Sequence, residues 1–297
     1  YRIFEDFAFY MISEARKKRI NDIFKLNGNV YAFDSTTIDL CLKLFPWANF
    51  RTHKGGIKIH TLYDVETQVP TFIHITEAKI NDVKAMDVIP YESGSFYVFD
   101  RANDYHRLYK IHMMDSFFVV RAKTNIKAKV LKWKRRLPKN IQSDCEIELT
   151  GFYTQKSYPE TIRLVRFWDE EDEREFIYLT NAKHIQALQV AELYKNRWQV
   201  ELFFKWLKQH LKIKKFWGTS ENAVKIQVYS AIIAYCLVAI MQHDMKLDRS
   251  TYEVLQILGI SLTDKTPLRD LFSKTKFNDV KEQSGLDGPN LFSNYNF

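Results

Sequence analysis

Three observations predict an α/β fold in which a mixed sheet is flanked by helices. Short apolar runs bounded by turn residues alternate with segments of helical period over the first 120 or so residues. A block of alternating polar and apolar residues follows, and long helical segments occupy most of the remainder. Composition agrees: of 297 residues, 46% are hydrophobic and 15% aromatic. Such a chain has the apolar surface to offset its ordering entropy, which excludes wholesale disorder.

Residues 1–27 have helical spacing and close on Asn27-Gly28, a turn signal. Val30 to Phe33 read as a short apolar strand with Asp34 directly at its end. Residues 56–64 and 69–76 are two further strands, joined as a hairpin by VETQ. A helix is expected at 81–89, an aromatic strand ending on Asp100 at 95–100, a helix near 104–113 and a strand at 116–122. The order strand, strand, strand, helix, strand, helix, strand is that of a ribonuclease-H-like core. A lysine-rich stretch then leads into EIELTGFY, TIRLVRFW and REFIYLT, which read as an antiparallel meander inserted into that core. One long helix is expected from Ile185 to about residue 216 and another at 222–244, before a final polar, Asn/Ser/Gly-rich tail.

The expected organisation is therefore an N-terminal helical end (1–28), a first core part (29–121), a β-rich insertion (122–182), a second core part (183–245) and a C-terminal helical region with its tail (246–297). Val228 to Met241, the longest apolar run, has 14 residues. That falls short of the ~20 needed to cross a bilayer, so it reads as a buried helix and no membrane is expected. No signal peptide is visible, and a start at Tyr1 rather than Met leaves room for upstream segments. Cys41, Cys145 and Cys236 form no CxxC pair, which rules out a disulfide framework and a Cys-based zinc site and fits a reducing cytoplasm. The spacing of His53, His60 and His74 matches no common zinc pattern.

Asp34 and Asp100 each close an apolar strand, and in a mixed sheet strand-end residues are best placed to reach a ligand. Two carboxylates at neighbouring strand ends repel unless neutralised. Hard Mg²⁺ suits such a pair, taking a few carboxylates plus substrate phosphate. Asp also ends strands simply as a turn former. On a continuous helix, Tyr194, Arg197, Glu201 and Lys208 fall within roughly a 60° arc, beside an apolar stripe of Val200, Phe203, Leu207 and Leu211. Glu201 is the sole acid between Tyr194 and Trp217, among seven basic residues that include Lys205, Lys208 and Lys212. A solvated helix face usually mixes both signs, so a lone Glu in a basic field fits a metal ligand surrounded by phosphate-binding groups. The plain alternative is an intrahelical Glu201–Lys205 pair, worth ~0.2–0.5 kcal/mol.

Charge has an address as well. Lys and Arg total 44 against 36 Asp and Glu, for a net charge of +8. Residues 121–139 hold nine Lys and Arg and no acid, Lys132, Lys134, Arg135 and Arg136 among them. A second cluster, Arg51, His53, Lys54 and Lys58, brackets Gly55-Gly56. Those glycines either let a partner approach closely or form a tight turn. Trp168 and Trp198 offer flat aromatic surface, although both read more naturally as core.

The pattern Y-x2-R-x3-E-x6-K at Tyr194, Arg197, Glu201 and Lys208 resembles the signature of the IS4 family of bacterial DDE transposases. DSTTIDL around Asp34, FPWANFRTHKGGIKIHTLYD after it, FDRANDY around Asp100 and ELFFKWLKQHLKIKKFWGTSENAVKIQ are similar to that family too. The resemblance runs from about residue 1 to about residue 270. It implies a ribonuclease-H-like catalytic core with a β-rich insertion between the second Asp and the Glu. It further implies that Asp34, Asp100 and Glu201 hold two Mg²⁺ or Mn²⁺ ions, with Asp34 bridging them. By the same resemblance, Tyr194, Arg197 and Lys208 grip phosphates near a flipped base; Arg101, Lys205 and Lys212 are further candidate DNA contacts. One departure is local: the family's Asp-Arg-Gly-Tyr becomes Asp100-Arg101-Ala102-Asn103-Asp104-Tyr105, without the glycine and a residue longer.

The implied function is insertion-sequence transposition: metal-dependent cleavage of double-stranded DNA at terminal inverted repeats, a hairpin intermediate, and strand transfer into target DNA by a homodimer at the bacterial nucleoid. Two alternatives share the core: a metal-dependent nuclease that cleaves without joining, and an inactive DNA-binding relic. A two-carboxylate glycosidase would explain neither the basic helix nor the charge excess.

Overall fold

The computed structural model describes residues 1–19, 23–51, 54–101, 104–123, 125–210, 216–249, 251–261 and 265–274. The chain forms two compact units, Tyr1–Ile240 and Met241–Phe297. The first opens on helix α1 (Arg2–Lys18), which buries Ala8, Met11, Ile12 and Ala15. Strands β1 (Val30–Leu40), β2 (Asn49–Arg51), β3 (Lys54–Asp64) and β4 (Val69–Glu77) follow. The β3–β4 hairpin closes on Val65–Gln68, as the VETQ turn predicts. Asn81 caps the short helix α2 (Asp82–Ala85) by accepting from Val83 N–H, and a single 3-10 turn, Met86–Val88, extends it.

Next come β5 (Phe96–Arg101), α3 (Tyr105–Met113) and β6 (Phe117–Arg121). Strand β1 is antiparallel to β3 and parallel to β5, and β5 is parallel to β6. The order β4-β3-β1-β5-β6 is therefore the ribonuclease-H-like arrangement. Central β5 and β6 are apolar on both faces, as sheet strands covered on both sides must be.

The insertion contributes β7 (Ala128–Trp133), β8 (Ile141–Leu149), α4 (Phe152–Ser157), β9 (Ile162–Asp169) and β10 (Arg174–Thr180). Its last strand pairs with β6, so all ten strands among the described residues form one sheet ending β6-β10-β9-β8-β7. The core crosses the join without a break: Tyr97, Phe99 and Phe118 share one buried cluster with Cys145, Ile147, Tyr158 and Leu164. Asp144 and Arg163, which alternate with that cluster along β8 and β9, pair bidentately at 2.8 Å, and Arg163 also donates to the carbonyls of Ala182 and Ile185.

Helices α5 (Ala187–Asn196), α6 (Gln199–His210) and α7 (Glu221–Asp244) complete the fold of the first unit. The expected single long helix is broken at Arg197-Trp198. There the amides of Arg197, Val200 and Glu201 bond three residues back, to Tyr194, Arg197 and Trp198, which tightens the chain into 3-10 turns. No Gly or Pro marks the break, so the apolar period continues through it. Helix α7 is long and apolar enough to cross a membrane by length and composition. Its Val228, Ile232, Tyr235, Cys236 and Ala239 are buried. The second unit contains α8 (Thr251–Ser261) and α9 (Leu268–Lys274), and the Asn/Ser/Gly-rich tail lies outside the described residues.

Candidate active site

Strand β1 carries the first acid, although not at its end. The parallel ladder with β5 stops at Ala32↔Val98, while the antiparallel ladder with β3 continues to Leu40. The sequence expectation of a strand closing at Phe33 is corrected for that reason: β3 keeps β1 extended through DSTTIDL. Asp34 and Asp100 each lie two residues beyond the Ala32–Val98 pair. Asp100 is the extra residue of a bulge between Phe99 and Arg101 in the β5–β6 ladder, and its charge reaches Asp34 on the neighbouring strand. On β1, Ser35 N–H has passed the last β5 partner and donates to Asp34 Oδ1 at 2.8 Å.

Arg197, in the break between α5 and α6, joins two of the acids. Its guanidinium donates to Asp34 Oδ2 at 3.2 Å and to Glu201 Oε1 at 2.7 Å. Glu201 thus pairs with Arg197 one turn back, where the sequence offered Lys205 one turn ahead. Tyr194 OH lies 3.0 Å from Asp100 O and 3.1 Å from Asp100 Oδ1, which ties α5 to the end of β5. The Arg197 guanidinium also lies 5.7 Å from the centre of the Tyr194 ring. Arg101 Nε is 3.8 Å from Asp100 Oδ2, with both side chains half-exposed. A cavity of about 380 Å³ opens here, lined by Asp34, Ser35, Thr36, Glu201, Phe204, Lys205, Lys208 and Gln209.

Burial pushes the Asp34 carboxyl up to about 6, and the negative charges of Glu201 and Asp100 add to it, against Arg197 and the Ser35 amide. Burial likewise raises Tyr194 to about 12, helped by Asp100. For Arg197 burial acts downward, and its acidic neighbours Tyr194, Glu201, Asp34 and Asp100 outweigh it, so the guanidinium stays charged.

The donor set suits a hard divalent cation: carboxylate oxygens whose mutual repulsion a cation would relieve. Asp34, Asp100 and Glu201 are the residues that would hold it. Among the described residues no three His, Cys, Asp or Glu side chains stand close enough to enclose an ion. Arg197 supplies the positive charge between Asp34 and Glu201 instead.

Other predicted contacts are distributed differently from their sequence proximity. Lys58 is turned to Asp82, its Nζ 3.4 Å from Oδ1, and does not line the cavity. Lys132, Lys134, Arg135 and Arg136 are exposed on and just beyond β7, at the far edge of the sheet. Six strand steps separate β7 from β1, roughly 30 Å at the usual spacing. Lys134 there pairs with buried Asp144 at 3.1 Å. Gly55 and Gly56 make neither a turn nor an open groove: both lie inside β3, and a Cβ on Gly55 would stand 3.0 Å from the Ala48 carbonyl oxygen. Trp168 and Trp198 are not core, being 38% and 48% exposed. Lys212, His53 and the Ala102-Asn103 turn fall outside the described residues, as do the side chains of Arg51 and Lys54. Asp104 beyond that turn caps α3, accepting from Arg107 N–H at 3.1 Å. Sequence reasoning missed Phe204 and Gln209 in the cavity wall and Asp82 behind it; nothing in the local pattern marks them.

Fold and site define a ribonuclease-H-like protein with one acid within β1, one near the end of β5 and one on α6, the first and last joined by an arginine and the second held by a tyrosine. The chain belongs to the transposase DDE domain family, which matches residues 26–237. It is 33% identical over 256 residues to a Sinorhizobium fredii chain assigned as transposase y4zB, covering 80% of this chain and 67% of that one. Identity is 32% with the transposase assigned to insertion sequence element IS5377 of Geobacillus stearothermophilus, over 69% of this chain and 54% of that one. It is 27% with the transposase assigned to IS4SA of a Synechocystis species, over 89% and 74% respectively. The chain thus spans from about half to three quarters of the length of these relatives, and within the DDE transposases it is of the IS4-like family.

Proposed function

We propose that this chain cleaves double-stranded DNA at the ends of its own element and joins the freed strand to target DNA, with Asp34, Asp100 and Glu201 as catalytic residues. The observation that supports this best is that Asp34 and Asp100, each two residues past the last β1–β5 pair, stand close enough for their charges to interact, with Glu201 brought to Asp34 through Arg197. The three carboxylates would hold Mg²⁺ or Mn²⁺, two ions by the family pattern. Bound there, divalent ions supply a nucleophile at neutral pH and offset charge on the leaving oxygen.

The chain's own residues do the rest. Arg197 has the forked geometry to take a phosphate in place of a carboxylate, and Lys205 and Lys208 on the cavity wall act as point charges for the backbone. Hydrolysis of one phosphodiester leaves a 3′-OH, and attack of that hydroxyl on a second phosphate exchanges one phosphodiester for another. Exposed Trp198 and Trp168 can stack on a displaced base. The basic rim on β7 tracks backbone further along the duplex, and a homodimer pairs two element ends at the nucleoid.

The test is a strand-transfer assay with Mg²⁺ and the matching inverted repeats. Joined product that disappears in Glu201→Gln is expected. Cleavage without joining would make the protein a nuclease, and DNA binding without cleavage would make it an inactive relic.

A further inference from the structure

Behind Asp34 lies a second carboxylate that the acidic trio does not include. Asp82, in the first turn of α2, accepts a short hydrogen bond from Ser35 Oγ. The same Oδ1 stands 3.4 Å from Lys58 Nζ and 3.1 Å from His60 Nδ1. His60 is fully buried in β3, directly opposite Ser35 in the β1–β3 ladder, and its Nε2 meets Thr76 Oγ1 at 3.0 Å. The network thus draws β1, β3 and β4 onto one side chain of a fourth element. Although the Asp82 side chain is 47% exposed, its Oδ1 accepts the Ser35 hydroxyl and lies within ion-pair distance of Lys58 and His60.

The link to the reaction is Ser35. Its hydroxyl is held by Asp82, while its amide holds Asp34 Oδ1 at 2.8 Å. Asp34 has its other oxygen on Arg197, so its orientation is fixed from two directions: Arg197 in front and Ser35, backed by Asp82, behind. Beyond Ala32 no β5 partner restrains β1 on that side, so the Asp82 contact substitutes for the missing ladder at the residue after the acid.

We infer that Asp82 is a positioning residue for Asp34, acting through Ser35 to set the carboxylate that receives the divalent cation. The inference rests on the proposed metal role of Asp34. Outer partners of metal-ligating carboxylates commonly change affinity 10–100-fold when removed.

The experiment measures Mn²⁺ binding by electron paramagnetic resonance on the full chain, with free DNA affinity and thermal unfolding as companions. Four variants are compared with the wild type: Asp82→Ala, Asp82→Asn, Ser35→Ala and Asp34→Asn. Asp34→Asn should abolish high-affinity Mn²⁺ binding. Asp82→Ala and Ser35→Ala should each weaken it about tenfold, with metal-free DNA affinity unchanged. Asp82→Asn keeps an acceptor for Ser35 and should recover most of the loss. Wild-type Mn²⁺ affinity in both Ser35→Ala and Asp82→Ala, with Asp34→Asn still defective, overturns the inference alone. Wild-type affinity in Asp34→Asn overturns the metal reading beneath it. Should Asp82→Ala fail to fold, Ser35→Ala, which loses one hydroxyl, decides the matter by itself.

Discussion

Arg197 donates to Asp34 across 163 residues of chain, at 3.2 Å, and the same guanidinium holds Glu201 at 2.7 Å. One cation therefore neutralises two acids that come from a strand and a helix. Its side chain is 14% exposed, so the arrangement is largely shielded from bulk water. Ion pairs in such surroundings are screened less than surface pairs, and losing one partner strands the other.

Replacing Arg197 should thus do two things. Arg197→Ala is expected to lower stability by about 2 kcal/mol, less than a fully buried pair would lose because Glu201 is half-exposed. Cleavage should fall at least tenfold, and Arg197→Lys should recover the stability better than the activity, since an ammonium cannot fork. Urea denaturation and end-cleavage rates check both; full activity in Arg197→Lys would contradict a forked contact.

Asp34 makes stability depend on pH in a defined direction. Its folded carboxyl is pushed up to about 6 against an ordinary value near 4, so the folded chain binds that proton more tightly than the unfolded chain. The contribution is greatest below pH 4, declines as pH rises to about 6, and is constant above. With the side chain 29% exposed, the change should be about 1–2 kcal/mol rather than the full value of the shift. Urea midpoints between pH 4 and 7 in EDTA should show a shallower decline for Asp34→Asn than for wild type; parallel curves would refute the assignment.

Asp144 and Arg163 are both 3% exposed and bidentately paired. Burial alone would raise the Asp144 carboxyl, and the Arg163 hydrogen bonds and charge, with Lys134, hold it below its ordinary range instead. Asp144→Ala leaves Arg163 charged and buried, at an expected cost of about 3–5 kcal/mol. Arg163 also grips the segment leading into α5, so the loss should appear in thermal melts and weaken activity through folding alone.

Trp198 stands almost half exposed beside Arg197 and supports little packing. Trp198→Ala should leave the melting temperature within a degree or two while weakening single-strand DNA binding by about 1–3 kcal/mol. Fluorescence anisotropy with a frayed-end oligonucleotide measures it, and unchanged affinity would exclude stacking at this position.

Lys132, Arg135 and Arg136 are expected to act through salt-dependent attraction alone. Reversing all three to Glu should reduce the slope of log affinity against log salt by roughly one for each phosphate no longer neutralised. Steady-state cleavage of pre-bound DNA should stay near wild type, because roughly 30 Å separates this edge from the acids.

Much of the fold was legible along the chain. The VETQ turn specified the β3–β4 hairpin, and the alternation in REFIYLT specified β10. The break after α5 was not legible, because 3-10 turns preserve nearly the same apolar spacing and no Gly or Pro announces them. The position of the later part of the basic run was not legible either: Lys132 to Arg136 follow β6 closely in sequence, yet β10, β9 and β8 intervene in the sheet.

By itself, the sequence determined which acids matter as candidates, the strand order that brings β1 beside β5, and the aromatic and apolar residues that cover both. Periodicity and residue chemistry are local properties, so they survive without coordinates. Only the tertiary structure decided that Arg197 joins Asp34 to Glu201, that Lys58 turns to Asp82, and that Asp82 reaches Ser35 behind the first acid. Electrostatic partners are chosen by distance through space and by exclusion of water. Sequence separation, 163 residues in the case of Arg197 and Asp34, carries no information about either.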